Sequence, residues 1–371
     1  MILPRWLIKI DWQILIPVFL LLALGVLMIY SATLGEIAAD RNNTYRQLIY
    51  IAVGLGFMLV IGFFDYRVFK NYSRWFYALM IISLIAVLFL GTPIRGTRGW
   101  FELGIFNLQP SELAKFFCII ALAKYFSKNA DEMTRFRHIL QSGLLILIPV
   151  LLIMAEPDFG SAMVIVLVWG GMILLTRVRW WHLGVLAGAM AGLVAASWRF
   201  FLRDYQKERI RVFLNPALDP LGRGYNVTQA KIAIGSGGWF GRGLGHGSQS
   251  QLNFLPEQHT DFIFAVLCEE LGFFGGAFMI ALFGFLFYRL FRIGRQAKDR
   301  FGMFLVGGVT ILILVQVLIN VGMNVGLLPV AGIPLPFLSF GGSSIITLLL
   351  CVGLVLSVSY RSPGKYKPAI G

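Results

Sequence analysis

The sequence predicts an all-α polytopic membrane protein with about ten transmembrane helices and one large extracytoplasmic loop, and three observations carry that prediction. Apolar residues make up 58% of the chain and charged residues only 13%. Uncharged runs recur at close to the ~20 residues that a helix needs to cross the hydrocarbon core. These runs are continuously apolar, whereas barrel strands alternate over about ten residues, and hydrocarbon admits only helices and closed barrels as spanning structures. A single membrane domain over residues 1–371 is therefore expected.

The spans are expected near residues 13–32, 46–64, 75–91, 110–127, 139–154, 160–176, 182–198, 262–288, 302–325 and 343–359. Arg5 and Lys9 precede the first run and no small-residue cleavage site follows it, so it reads as an uncleaved span rather than a signal peptide. With a cytoplasmic N-terminus, Lys and Arg fall on the inner side at 5 and 9, 67–74, 124–137, 177 and 179, 289–300 and 361–367. The short outer loops hold only Arg41, Arg46, Arg95 and Arg98. That asymmetry is the positive-inside signal, and it places both termini in the cytoplasm. Because most of the net charge of +14 flanks spans, it argues for a membrane orientation and against nucleic-acid binding. Cys118, Cys268 and Cys351 lie inside apolar runs and read as reduced packing residues.

The first three spans are plain apolar helices with Trp12, Tyr66 and Trp75 at the interfaces. The loop after the third leads into Asn107-Leu108-Gln109-Pro110-Ser111-Glu112-Leu113-Ala114-Lys115. Pro110 suits the first position of a helix, which puts Glu112 in the first turn at the positive end of the helix dipole. Glu112 and Lys115 then share one face. They are either a capping acid with a snorkelling lysine or a pair facing a water-filled cavity, since a charge at membrane depth costs about 2.5–3.5 kcal/mol. The turn from Glu156 to Ser161 separates the fifth and sixth spans on the outer side, with Asp158 placed to cap the helix that follows.

The polar stretch from about Arg199 to Asp261 is the large outer loop. It carries Arg199, Arg203, Lys207, Arg209, Arg211, Arg223, Lys231 and Arg242, and it ends in Leu255-Pro256-Glu257-Gln258-His259-Thr260-Asp261 where the eighth span begins. A basic patch beside one acid suggests an anionic substrate. Residues 225–234 have the mixed pattern of a short helix on or in the membrane face. The glycines from Gly235 to Gly241 break that helix, and without a preceding strand or a following Gly-Lys-Ser they are not a phosphate loop. Asn226-Val227-Thr228 matches a glycosylation sequon, a pattern short enough to arise by chance. Glu257, His259 and Asp261 are donor-type residues at alternate positions, a spacing that fits no zinc pattern, so no metal site is assigned to them.

Glu269 and Glu270 lie roughly 12 Å deeper if the span is helical, and serve either function or hydrogen bonding between helices. Gln316, Asn320 and Asn324 form one stripe that faces protein or water, with interhelical bonding the favoured role. Pro329, Pro334 and Pro336 forbid a continuous helix after it. Gly341-Gly342-Ser343-Ser344 opens the last span with N–H groups able to receive phosphate oxygens, or simply forms a rigid turn.

Three of these motifs in chain order, Gln109 to Lys115, Leu255 to Phe264 with Glu269-Glu270-Leu271-Gly272, and Gly326 to Ser344, resemble those of the SEDS family (shape, elongation, division and sporulation). These are multi-span peptidoglycan glycosyltransferases of the bacterial cytoplasmic membrane, and the resemblance covers nearly the whole chain. The short termini and Gly332-Ile333-Pro334-Leu335-Pro336-Phe337 resemble the elongation branch more than the division branch. Phe340 stands where the family usually has Tyr and Glu156 where Gln is common, and neither is expected to touch the chemistry.

The resemblance implies inverting transfer between two molecules of lipid II, the undecaprenyl diphosphate-linked disaccharide peptide, with Asp261 essential. It also implies a class B penicillin-binding transpeptidase as partner, among the membrane proteins of the elongation complex. On this reading Asp261 is catalytic, taking the proton from the acceptor hydroxyl. Glu112, Lys115, Arg98, Arg209, Lys231, Asp158 and Ser343 are the candidate substrate-binding residues, the cations among them stabilising the departing diphosphate. No cofactor is assigned, and assistance by a divalent cation, Mg or Mn, is left open. The rival readings are a flippase for the lipid-linked precursor, which would also need cavity-facing charges and broken helices, a division-type polymerase, and a scaffold that recruits a wall-synthesis partner.

The orientation is open to direct test. Single cysteines placed at 245–258, in a background lacking the native three, are expected to react with an impermeant thiol reagent in intact cells. Labelling only after permeabilisation would reverse the topology.

Overall fold

The computed structural model describes residues 11–34, 42–94, 97–102, 104, 107–196, 199, 207, 211, 223–252, 254–255 and 257–362. Ten long helices run through the described residues: α1 (Trp12–Ala32), α2 (Asn42–Phe63), α4 (Ser73–Leu90), α5 (Pro110–Asn129), α6 (Phe136–Ala155), α7 (Phe159–Leu174), α8 (Trp180–Ala196), α11 (Ile263–Gln296), α12 (Arg300–Asn324) and α13 (Gly342–Arg361). Shorter helices are α3 (Tyr66–Asn71), α9 (Arg223–Ser236) and α10 (Ser248–Gln251). Each expected span meets one long helix. Seven of the ten are long and apolar enough to cross a bilayer on composition alone; α7 and α8 are shorter, and α5 carries Glu112, Lys115, Lys124 and Lys128.

The bundle is layered by burial. Within its most apolar stretch α13 is 83% buried, whereas α2 and α4 are 22% buried, so α13 is central and the other two face lipid. Glycines bring α2 and α13 into close contact. A Cβ on Gly54 would lie 2.6 Å from Leu349, and one on Gly353 would lie 2.7 Å from the Met58 carbonyl oxygen. Small residues let helices approach where lipid supplies no hydrophobic drive for association.

The loops assigned to the inner side meet at one end of the bundle through ion pairs. Arg289 is 2.6 Å from Asp11, Arg67 is 3.3 Å from Asp299, Arg361 is 3.6 Å from Asp65, and Arg300 is 2.6 Å from Asp131. Asp299 also caps α12 by accepting from the Gly302 N–H.

Two features depart from the sequence reading. The loop after α4 is an antiparallel three-stranded sheet of β1 (Thr92–Ile94), β2 (Thr97–Glu102) and β3 (Asn107–Leu108), pairing Thr92 with Trp100 and Phe101 with Leu108. The strands are two to six residues long, too short for an alternating pattern to be legible. The helix expected at 225–234, on or in the membrane face, is present as α9, and it packs Ala230 and Ala233 against Phe262, Ala265 and Val266.

The 34-residue α11 is the more consequential case. Its helical geometry is interrupted at Gly272, with φ 68° and ψ −162°. An interruption at membrane depth frees backbone groups that lipid cannot satisfy. The glycine turn after α9 satisfies them: Arg242 N–H donates to Glu269 O, Gly243 N–H to Glu270 O, and Phe273 N–H to Gly238 O at 3.0, 3.0 and 2.8 Å. A Cβ on Gly241 (φ 79°) would fall inside the Glu270 carbonyl, and one on Gly272 would fall on the Phe240 and Gly241 backbone. The glycines are there for backbone approach, as their sequence did not reveal.

The two membrane-depth acids belong to the same join. Glu269 accepts from the N–H groups of Gln249 and Ser250 at 2.8 and 3.1 Å, at the start of α10. Glu270 accepts from Ser31 Oγ at 2.7 Å and from Gly245 N–H at 3.3 Å. Gly241→Ala is expected to lower the melting temperature of the purified protein by an amount equivalent to about 2 kcal/mol or more. Gly56→Ala, on a helical site with open space around it, should leave it unchanged. Equal melting temperatures for the two variants would show that the close approach does not matter.

Candidate active site

A cavity of about 650 Å³ opens at the end of the bundle opposite the ion-paired loops. It is within the usual range for a small-molecule site. Its walls come from β2, the start of α5, the Glu156 to Ser161 turn, α9, the His259 to Asp261 turn and the proline-rich segment from Gly326 to Ser344.

Asp261 stands two residues before α11 and lines this cavity. Its place is set through its main chain. The Asn320 and Asn324 side-chain amides on α12 both donate to the Asp261 carbonyl oxygen at 3.0 Å. Asn320 also donates to Ile333 O at 2.8 Å, while Asn324 Oδ1 accepts from the Ala265 N–H at 3.2 Å. Two members of the polar stripe thus join α12, the proline-rich segment and the first turn of α11 at one residue, as interhelical bonding would. From the other side, Ser339 Oγ donates to Thr260 O at 2.6 Å and Phe340 N–H to His259 O at 2.8 Å. Gly332, at φ 66°, leaves room at Asp261: a Cβ there would lie 3.7 Å from Oδ2.

Glu112 and Lys115 form an ion pair at 2.7 Å with side chains 6% and 2% exposed. Glu112 lines the cavity and Lys115 lies behind it. The snorkelling alternative does not describe them, because a snorkelling lysine reaches water and this one is buried against its partner. Asp158 caps α7 by accepting from Ser161 N–H at 3.0 Å, and it also accepts from Gln109 Nε2 at 3.1 Å and Ser111 Oγ at 3.0 Å. Ser343 Oγ accepts from Gln109 N–H and donates to Asn107 O, both at 2.8 Å, which ties β3 and α5 to α13. Lys231 lines the cavity from α9 as an exposed cation and lies over Gly326. The side chain of Arg98 and the whole of Arg203 and Arg209 lie outside the described residues, so much of the expected basic patch does as well.

Glu156 and Phe340, expected to stand apart from the chemistry, both line the cavity. Phe340 packs edge-on against His259 with ring centroids 5.7 Å apart. Glu156 is buried, and both its carboxyl oxygens lack a hydrogen-bond partner among the described residues. Burial, and after it the charge of Asp158, pushes its pKa up to about 8. Its nearness in sequence to Asp158 was the available signal, and it did not show which of the two acids would find donors. Among the described residues no group of three or more His, Cys, Asp or Glu is placed to hold a metal ion.

A family model described as "Cell cycle protein", for FtsW, RodA and SpoVE, matches residues 11–363. The peptidoglycan glycosyltransferase MrdB of Escherichia coli (strain K12) is 38% identical over 351 residues, which is 95% of this chain and 94% of that protein. The rod shape determining protein RodA of Thermus thermophilus superposes with a TM-score of 0.69 at 30% identity, over 96% of this chain and 98% of that one. A chain from a peptidoglycan synthase complex that coordinates polymerization and crosslinking superposes with a TM-score of 0.82 at 32% identity, covering 96% and 99%.

Removing either member of the Glu112–Lys115 pair leaves a buried unpaired charge, with a penalty of about 3–5 kcal/mol. Glu112→Ala and Lys115→Ala should each lower thermal stability and activity strongly, and the double variant should lose less stability than the sum of the two. Additive losses would mean that the two are not coupled.

Proposed function

The chain belongs to the FtsW/RodA/SpoVE family, and from that premise we propose that it is a peptidoglycan glycosyltransferase that polymerises lipid II in the cavity around Asp261. The observation that carries the reading is the way Asp261 is held. Two buried amides and a proline-rich clamp fix its main chain and leave its side chain at the cavity wall, as a general base requires.

In the reaction, the acceptor's 4-hydroxyl oxygen attacks the anomeric carbon of the donor sugar while Asp261 takes the hydroxyl proton. The bond from that carbon to the diphosphate oxygen breaks, the polyprenyl diphosphate departs with the electron pair, and the α-linked donor becomes a β-1,4 linkage. Lys231, which is in no ion pair within 4.0 Å among the described residues, is placed to meet negative charge growing on the diphosphate. Glu112 with Lys115, Asp158 and Ser343 hold the opposite wall in shape. A divalent cation fits this site only with help from the substrate: the described donors form no three-member cluster, and Mg²⁺ is commonly held by one or two carboxylates together with substrate phosphates.

The flippase reading drew on broken helices, which in transporters line the substrate path. Here the break at Gly272 is covered by the glycine turn and does not line the cavity, whereas the proline-rich segment does, so the likeness to a peptidoglycan glycosyltransferase is what favours the polymerase. The proposed setting is the bacterial inner membrane, with the cavity on the outer side, a role in elongation and a class B penicillin-binding transpeptidase as partner. The likeness to a chain of a peptidoglycan synthase complex supports that partner.

Asp261→Asn keeps the size of the side chain and loses the ability to hold a proton. It should reduce polymerisation of labelled lipid II by about 10²–10⁴-fold and leave lipid II binding largely intact. Polymer at the wild-type rate from this variant, or none from the wild type with and without its transpeptidase partner, would overturn the proposal.

A further inference from the structure

Glu156 is the one cavity acid that the mechanism leaves unused, and its surroundings are unusual. Asp158, two residues on in the same turn, receives three donors. Glu156 receives none at either oxygen, although it is only 1% exposed. Opposite it stands backbone: a Cβ on Gly99 of β2 would lie 3.1 Å from Oε2. The other described charged or titratable liners are Tyr50 from α2, Glu112 from α5, Lys231 from α9, and His259 and Asp261 from the turn before α11.

A buried carboxylate without partners is strongly disfavoured, and a second carboxylate beside it adds repulsion. Keeping its proton relieves both, in line with its raised pKa. In that form the group carries an O–H donor as well as an acceptor oxygen. A buried donor with no acceptor among the described residues is matched by an acceptor on a ligand.

We propose that Glu156 is a further substrate-binding residue, an uncharged carboxyl group that donates a hydrogen bond to an amide carbonyl of the lipid-linked sugar. The inference rests on the polymerase reading for the identity of that sugar, whose 2-acetamido groups supply such carbonyls. An amide carbonyl accepts and cannot donate, so it needs this proton. A sugar hydroxyl would be served as well by a carboxylate, and a phosphate would meet the charge of Asp158.

The test is direct binding of labelled lipid II to the purified full-length protein, in an Asp261→Asn background so that turnover does not intervene. The Kd in that background should rise roughly tenfold between about pH 7 and about pH 9 as Glu156 loses its proton. Glu156→Gln keeps an uncharged donor, so its Kd should change less over that range, and it controls for titration of the lipid. Glu156→Leu should weaken binding roughly tenfold near pH 7. A Kd whose pH dependence equals that of the Gln variant overturns the proposal, as does a folded Leu variant that binds like its parent. If the Leu variant does not fold, the comparison with Gln decides. A wild type that makes no polymer while the pH-dependent Kd is present overturns the polymerase reading and upholds the contact; polymer with a Kd indifferent to Glu156 does the reverse.

Discussion

The carbonyl oxygen of Asp261, held by the side-chain amides of Asn320 and Asn324, is the point on which the active end of this molecule depends. The residue sits where an irregular turn becomes a membrane helix, and irregular backbone at that depth is stable only when protein supplies the partners that lipid cannot. By meeting that need from α12, the fold also aims a carboxylate. The same amides reach Ile333 and Ala265, so the proline-rich segment, the turn and α11 are registered against one another by one pair of side chains.

The same constraint explains the break in α11. A helix interrupted at Gly272 needs a second stretch of backbone against it, close enough to bond main chain to main chain, and only glycine lets the two approach. The Gly237 to Gly241 turn provides this, while Glu269 and Glu270 bind the chain that follows it through Gln249, Ser250 and Gly245, and Glu270 also accepts from Ser31 of α1. These acids tie the outer segment to the bundle instead of forming part of the cavity wall.

Charge is divided between the two ends of the bundle. At one end the acids are paired with arginines across loops. At the other, the described cavity liners include Glu112, Glu156, Asp158 and Asp261 with Lys231 as the lysine among them. The acids stand in different settings: Glu112 pairs with Lys115, Asp158 has three donors, the main chain of Asp261 is held by two amides, and Glu156 has no hydrogen-bond partner among the described residues. Among the described residues the cavity therefore gathers four carboxyl groups in four different settings beside one exposed lysine.

The long apolar helices and their order were legible in the sequence, because hydropathy and the first-turn position of Glu112 after Pro110 are local properties that survive any packing. The motifs around Glu112, Asp261 and Ser343 were legible for the same reason, as was the bonding role of the Asn320 and Asn324 stripe. What faced what was decided only by the tertiary structure. The short strands after α4, the glycine turn sealed against Gly272, and Lys115 buried behind Glu112 all depend on partners tens to hundreds of residues away or on contacts too brief to leave a pattern. Glu156 and Asp158 show the limit most plainly. They are the same kind of group two residues apart, yet one faces Gln109, Ser111 and Ser161 and the other faces Gly99, and the protonation of a carboxyl group depends on the partners that folding brings to it.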